Sequence, residues 1–187
     1  MMEYENLNAI LAELTGYAHE VKEEEIEQAV EQIVQARHIF LAGAGRSGFI
    51  ARAFANRLMH LGLSVSFVGE PTTPPVGEGD LLIIGSGSGT TSGLVVMAEK
   101  AKKMGAKLLT ITISPQKTIG RMADAVIALP GTTRTSAAEQ KQTGSIQPVG
   151  SMFEQLCWLT YDAMVMTLME RLGQSREDLL ARHANLE

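Results

Sequence analysis

Two short apolar runs constrain this chain most, because each ends in a glycine- and hydroxyl-rich turn that leads into a helix. The sharper of the two is Asp80-Leu81-Leu82-Ile83-Ile84-Gly85, followed by Ser86-Gly87-Ser88-Gly89-Thr90-Thr91 and then by Leu94-Val95-Val96-Met97. That order reads as strand, turn, helix. A turn of this kind leaves backbone N–H groups at the positive end of a helix, which suits a phosphate. Gly87 and Gly89 let the backbone approach an oxyanion without a Cβ clash, and Ser86, Ser88, Thr90 and Thr91 add hydroxyl donors. A single such loop also fits a plain Ser or Thr helix cap. The second turn, Gly43-Ala44-Gly45-Arg46-Ser47-Gly48 after the run His38–Ala42, tells against that plainer reading.

The remaining elements follow from periodicity. Leu7, Ile10, Leu11, Leu14 and Tyr17 recur at helical spacing, so an amphipathic helix is expected over residues 5–20. It precedes the α/β core and is a candidate to pack on a partner subunit. A second helix starts at Glu23, with Ile26, Val30, Ile33 and Val34 on its buried side. Strands are expected at 38–42, 64–69, 81–85, 107–113 and 125–129, with helices to about Leu61, at 92–104, near 119–123 and at about 149–171. Pro71, Pro74 and Pro75 keep 70–79 irregular. Gly131 to Gln147 reads as a long polar loop, and the chain ends in a polar helix and tail.

Strands alternating with helices imply a parallel sheet covered on both faces. The expected fold is a three-layer αβα sandwich on a five-stranded parallel sheet in flavodoxin-like order, 2-1-3-4-5, with an extra N-terminal helix. A ligand then sits beyond the carboxyl ends of strands one and three, where the order reverses. Those two strands end in the two glycine-bearing turns. The chain reads as one domain, with a helical arm over 1–36, the core over 37–171 and a tail over 172–187.

A net charge of −5 and the lack of a basic run argue against nucleic acid as a partner. Met1 to Glu5 is acidic and no long apolar segment follows, so neither a signal peptide nor a membrane span is expected, and the expected location is cytoplasmic. Cys157 is the single cysteine and packs as a small hydrophobe. No residues show metal-ligand spacing, so no metal is expected.

Gly43, Gly45 and Gly48 also fit a dinucleotide fingerprint, with Glu70 placed to hold a ribose. The second hydroxyl-rich turn has no role in that scheme, and too little chain follows the fifth strand for a substrate domain.

The pair Gly-x-Gly-x-Ser and Ser-x-Ser-Gly-x-Thr resembles a sugar isomerase (SIS) domain. Arg57-Leu58-Met59-His60-Leu61-Gly62, Gln147-Pro148-Val149-Gly150-Ser151-Met152-Phe153-Glu154-Gln155 and Arg182-His183-Ala184-Asn185-Leu186-Glu187 resemble the 6-phospho-3-hexuloisomerase family along essentially the whole chain. That resemblance implies interconversion of D-arabino-hex-3-ulose 6-phosphate and D-fructose 6-phosphate through an enediolate, in the ribulose monophosphate pathway of formaldehyde fixation. It also implies a cytosolic homotetramer without metal or cofactor, working beside hexulose-phosphate synthase.

Ser47 and the stretch Ser86, Gly87, Ser88, Gly89, Thr90 and Thr91 are the expected phosphate binders. Glu154 is the candidate base: it lies early in the long helix, just after Gln147-Pro148, and one carboxylate can move a proton between neighbouring carbons if water is kept out. Position alone also fits a glutamate that only complements the helix dipole, and the resemblance decides between the two. Arg46 is a candidate for the developing oxyanion or a solvated arginine beside an acid. His19 and His38 read as structural or surface residues, and His60 as the close of a helix. His183 resembles a C-terminal histidine that, in related sugar isomerases, reaches a neighbour's crevice and helps open the sugar ring, which here requires an oligomer. A frayed tail is the plainer alternative, and His60 stays open as the other candidate acid. The competing reading is a non-catalytic sugar-phosphate-binding regulatory module.

Overall fold

In a computed structural model, residues 4–132 and 144–186 are described. Most of the polar segment 131–147 expected as a loop therefore lies outside the described residues. The elements are α1 (Glu5–Ala18), α2 (Glu23–Gln35), β1 (Ile39–Gly43), α3 (Gly45–His60), β2 (Val65–Phe67), β3 (Leu81–Gly85), α4 (Ser92–Lys103), β4 (Lys107–Thr112), α5 (Thr118–Met122), β5 (Ala125–Ala128), α6 (Ser151–Leu172) and α7 (Arg176–Ala181). All strand pairs are parallel and the order is β2-β1-β3-β4-β5. The flavodoxin-like arrangement is as expected, although β2 is three residues long where six were expected.

Strand side chains alternate between two cores, as a pleated sheet requires. Ile39, Leu41, Leu81, Ile83, Leu109, Ile111 and Ile127 pack with α2, α3 and α6. Phe40, Ala42, Leu82, Ile84 and Leu108 pack with α4 and Ile119 of α5. Both sheet faces are therefore buried, which is why the strands read as continuous apolar runs. On α2, Ala29, Val30 and Ile33 are fully buried, whereas Val34 is exposed, one step off the apolar stripe. Glu25 of α2 accepts the Ala128 N–H at 2.8 Å and so caps the edge strand β5.

The arm helix α1 packs on α6 of its own chain, with Leu14 buried and Leu7 and Leu11 about half exposed. At the other end, Arg182 reaches back from the tail to the His60 carbonyl at 3.0 Å. No helix among the described residues is long and apolar enough to cross a membrane.

Candidate active site

Register places the two turns side by side. Gly43 and Gly85, the last residues of β1 and β3, are direct Cα partners. The chain after each therefore leaves the sheet at the same level. Gly43 and Gly48 touch backbone to backbone: a Cβ on Gly48 would stand 2.8 Å from the Gly43 carbonyl oxygen. This contact seats the start of α3 directly on the end of β1, and only glycine permits it. A Cβ on Gly85 would lie 4.0 Å from the Ser47 carbonyl oxygen, so the first turn arches over the end of β3.

The second turn is fastened from below. Its Gly87 carbonyl accepts the Ile113 N–H at 3.1 Å and the Thr112 hydroxyl at 3.2 Å. The Gly89 carbonyl accepts the Ile119 N–H at 3.0 Å, and Gly89 adopts φ +62°. Ser86 is buried, while Thr90 and Thr91 are exposed. Thr91 is the N-cap of α4, yet its hydroxyl makes no capping bond and lies 3.5 Å from Ser88 Oγ. Thr91 is therefore not a side-chain cap of α4, while Ser88 Oγ accepts the Thr90 N–H at 3.3 Å within the turn. Ala44 and Gly150, the N-caps of α3 and α6, make no side-chain cap either. The first turns of α3 and α4 hold no acidic residue, so their positive dipole ends face no acid of their own helix, whereas α6 carries Glu154 in its first turn.

The first turns of α6 join the two glycine turns. Phe153 packs under the second: a Cβ on Gly87 would meet its ring at 3.3 Å. Glu154, 14% exposed, forms an ion pair and hydrogen bond with Arg46 Nε of the first. The structure thus brings Arg46, Ser47, Ser86 to Thr91 and Glu154 to one end of the sheet. Sequence reasoning missed Phe153 as a support, because nothing in its local pattern distinguishes it from ordinary helix core.

Beside the Arg46–Glu154 pair lies a mostly apolar cavity of about 500 Å³. Phe49, Gln155 and Trp158 line it together with Ile10, Leu11 and Leu14 of α1. Residues 86–91 of the serine turn are not among its walls.

His183 stands elsewhere within the chain. Its ring stacks on that of His60, 5.1 Å between centroids, where α3 ends. Arg46 is at the other end of that helix, about 21 Å along the axis. Burial first, and then the nearby His183 and Arg57, hold the buried His60 imidazole below its usual pKa. His38 lies between Ser64 and Ser66, within 2.7 and 3.0 Å of their hydroxyls, as a structural residue. Burial pushes the Cys157 thiol up to about 12. Glu70 pairs with Arg52 at 2.5 Å, and Arg52 in turn lies over the Phe67 ring. That pairing ties up the carboxylate a ribose would need.

A doubly wound parallel sheet with two glycine-serine turns at its switch point and a carboxylate above them defines an α/β protein built to hold a small phosphorylated ligand. The SIS domain family model matches residues 32–158, and the chain belongs to that family. It is 46% identical over 178 residues to a 3-hexulose-6-phosphate isomerase of Bacillus subtilis (strain 168), covering 95% of each chain. It is 42% identical to the enzyme of that name from Mycobacterium gastri, over 97% of this chain and 90% of the other. A solved Methanococcus jannaschii protein, for which the molecular function of 3-hexulose-6-phosphate isomerase was inferred, superposes with TM-score 0.81 at 30% identity, covering 98% of this chain and 99% of that one.

Proposed function

We propose that this protein interconverts D-arabino-hex-3-ulose 6-phosphate and D-fructose 6-phosphate. The observation that carries the reading is the position of α6: its first turns rest on both switch-point turns, Phe153 against Gly87 and Glu154 on Arg46. Two relatives of the stated identity carry the corresponding enzyme name.

In this mechanism Ser47 and the segment Ser86 to Thr91 hold the phosphate, assisted by the starts of α3 and α4. Binding energy from the phosphate places the reacting carbons against Glu154. Glu154 takes the proton from C2 of the 3-hexulose as the C3 carbonyl becomes the enediolate oxygen. It returns that proton to C3, while the hydroxyl proton passes from O2 to O3. The net change is a carbonyl moved from C3 to C2, with no gain or loss of atoms or electrons. Arg46 faces the developing oxyanion once the sugar displaces part of its contact with Glu154. His183 assists ring opening from a neighbouring protomer, since within its own chain it sits beside His60.

The reading takes the chain as one SIS domain and places it in the cytoplasm as a homotetramer. It acts beside hexulose-phosphate synthase in formaldehyde fixation, as the family resemblance implies. The deciding experiment follows fructose 6-phosphate with purified protein and no added metal. Appearance of the 3-hexulose phosphate supports the enzyme. Micromolar binding without turnover makes the protein a sugar-phosphate sensor instead.

A further inference from the structure

A carboxylate on the N-terminal arm grips the segment that leads into α6. Glu13 of α1 accepts the Ile146 N–H through Oε1 at 2.9 Å and the Gln147 side-chain amide through Oε2 at 2.7 Å. Burial alone would push this carboxyl up. The hydrogen bonds from Gln147, the Ile146 N–H and Ser145 outweigh it and hold the carboxyl below its usual range, so it is ionised at neutral pH.

The path from that grip to Glu154 is short and hydrogen-bonded. The Ser151 N–H bonds back to the Pro148 carbonyl at 3.0 Å. Gly150 turns the chain with φ +93°, and a Cβ there would lie 3.6 Å from Glu154 Oε1. The Glu154 N–H bonds to the Gly150 carbonyl at 3.0 Å. On the same arm, Ile10, Leu11 and Leu14 form one wall of the cavity that Glu154 and Trp158 line from the other side.

We propose that Glu13 is a positioning residue for the isomerisation: its grip on Ile146 and Gln147 sets where α6 begins, and therefore where the Glu154 carboxylate stands, while seating α1 as the apolar wall that keeps water from it. The inference rests on Glu154 as the base.

The test compares Glu13→Ala, Glu13→Gln, Gln147→Ala and the Glu13→Ala/Gln147→Ala double variant. Glu13→Ala is expected to lower kcat by about ten-fold, the scale on which a small misplacement of a reacting group acts. The inhibition constant of inorganic phosphate, a probe of the serine turns, stays within about two-fold of wild type. Glu13→Gln recovers most of the rate, because its amide oxygen still accepts the Ile146 N–H and its NH2 donates to Gln147 Oε1 once the Gln147 amide turns over. The double variant behaves like Glu13→Ala alone, since the two side chains share one interaction. Emission of Trp158, the single tryptophan, shifts to the red in Glu13→Ala as α1 lifts, and the amides of residues 146–154 exchange faster.

An unchanged kcat in Glu13→Ala overturns the proposal. So does a loss of rate that follows the loss of folded protein and weakens phosphate equally. Should the wild type lack turnover, the enzyme reading falls with its base, and the positioning role for isomerisation falls with it. The Trp158 and exchange measurements separate the two failures, because they still report whether Glu13 seats the arm and orders the start of α6.

Discussion

Arg46, at the start of α3, donates through Nε to Oε2 of Glu154, at the start of α6. The arginine is about two-thirds exposed and the carboxylate largely enclosed. The pair closes the gap between two helices that are far apart in sequence, and it places a cation beside the atom that would abstract a proton. On the proposed mechanism, a substrate oxygen entering there would compete for the guanidinium and so link ligand entry to release of Glu154.

Arg46→Ala is therefore expected to lower kcat by roughly 10²–10³, the usual loss on removing one donor aimed at developing negative charge. Arg46→Lys restores only part of it, because an ammonium lacks the planar fork. Steady-state assays with fructose 6-phosphate check both.

Glu154→Gln keeps the size of the side chain and an oxygen for Arg46 but removes the base. Turnover is expected to fall by about 10² or more, with fructose 6-phosphate binding by titration calorimetry nearly unchanged. A variant that keeps over about a tenth of the rate would remove Glu154 from the mechanism.

Gly48→Ala puts a methyl group 2.8 Å from the Gly43 carbonyl oxygen. Since both partners are backbone, α3 must move away from β1. The expected cost is about 1–3 kcal/mol of stability in urea unfolding, as for other overpacked contacts. Phosphate binding weakens with it, because the first turn shifts relative to Ser86–Thr91. Ser88→Ala, by contrast, is expected to weaken phosphosugar binding and leave the unfolding midpoint close to wild type.

Asp80 is buried at the base of β3 and pairs with Arg37, while Gly77 N–H donates to it at 2.8 Å. Burial pushes its carboxyl up, but the Arg37 and Gly77 bonds prevail and lower it. Its folded pKa is thus below the unfolded one. The stabilisation is present above the ordinary Asp value of about 3.9 and is lost as pH falls through the folded pKa. Asp80→Asn should be less stable at pH 7 and lose less on acidification below about pH 4, measured by urea midpoints against pH.

Cys157 is buried with its thiol pushed up to about 12. The native protein should give no thiol reaction with an aromatic disulfide reagent at pH 8, and complete reaction once unfolded in guanidinium. Fast labelling of the native state would show that α6 opens readily.

The amino-acid sequence by itself determined the strand–turn–helix order, the 2-1-3-4-5 sheet and the pairing of the two turns at its switch point. These rest on local physics: short apolar runs buried on both faces, glycines where the backbone must curl, and one hand for parallel crossovers. Glu154 became the candidate base only through a family resemblance that singled out its segment; its helix position alone favoured a dipole partner. Tertiary structure alone decided what the side chains meet. The contacts of Arg46 with Glu154, Phe153 with Gly87, and Glu13 with Gln147 join residues on separate elements. The docking of His183 on His60 belongs to the same class. Such meetings depend on how helices settle on the sheet, and no repeat or spacing within one segment encodes that.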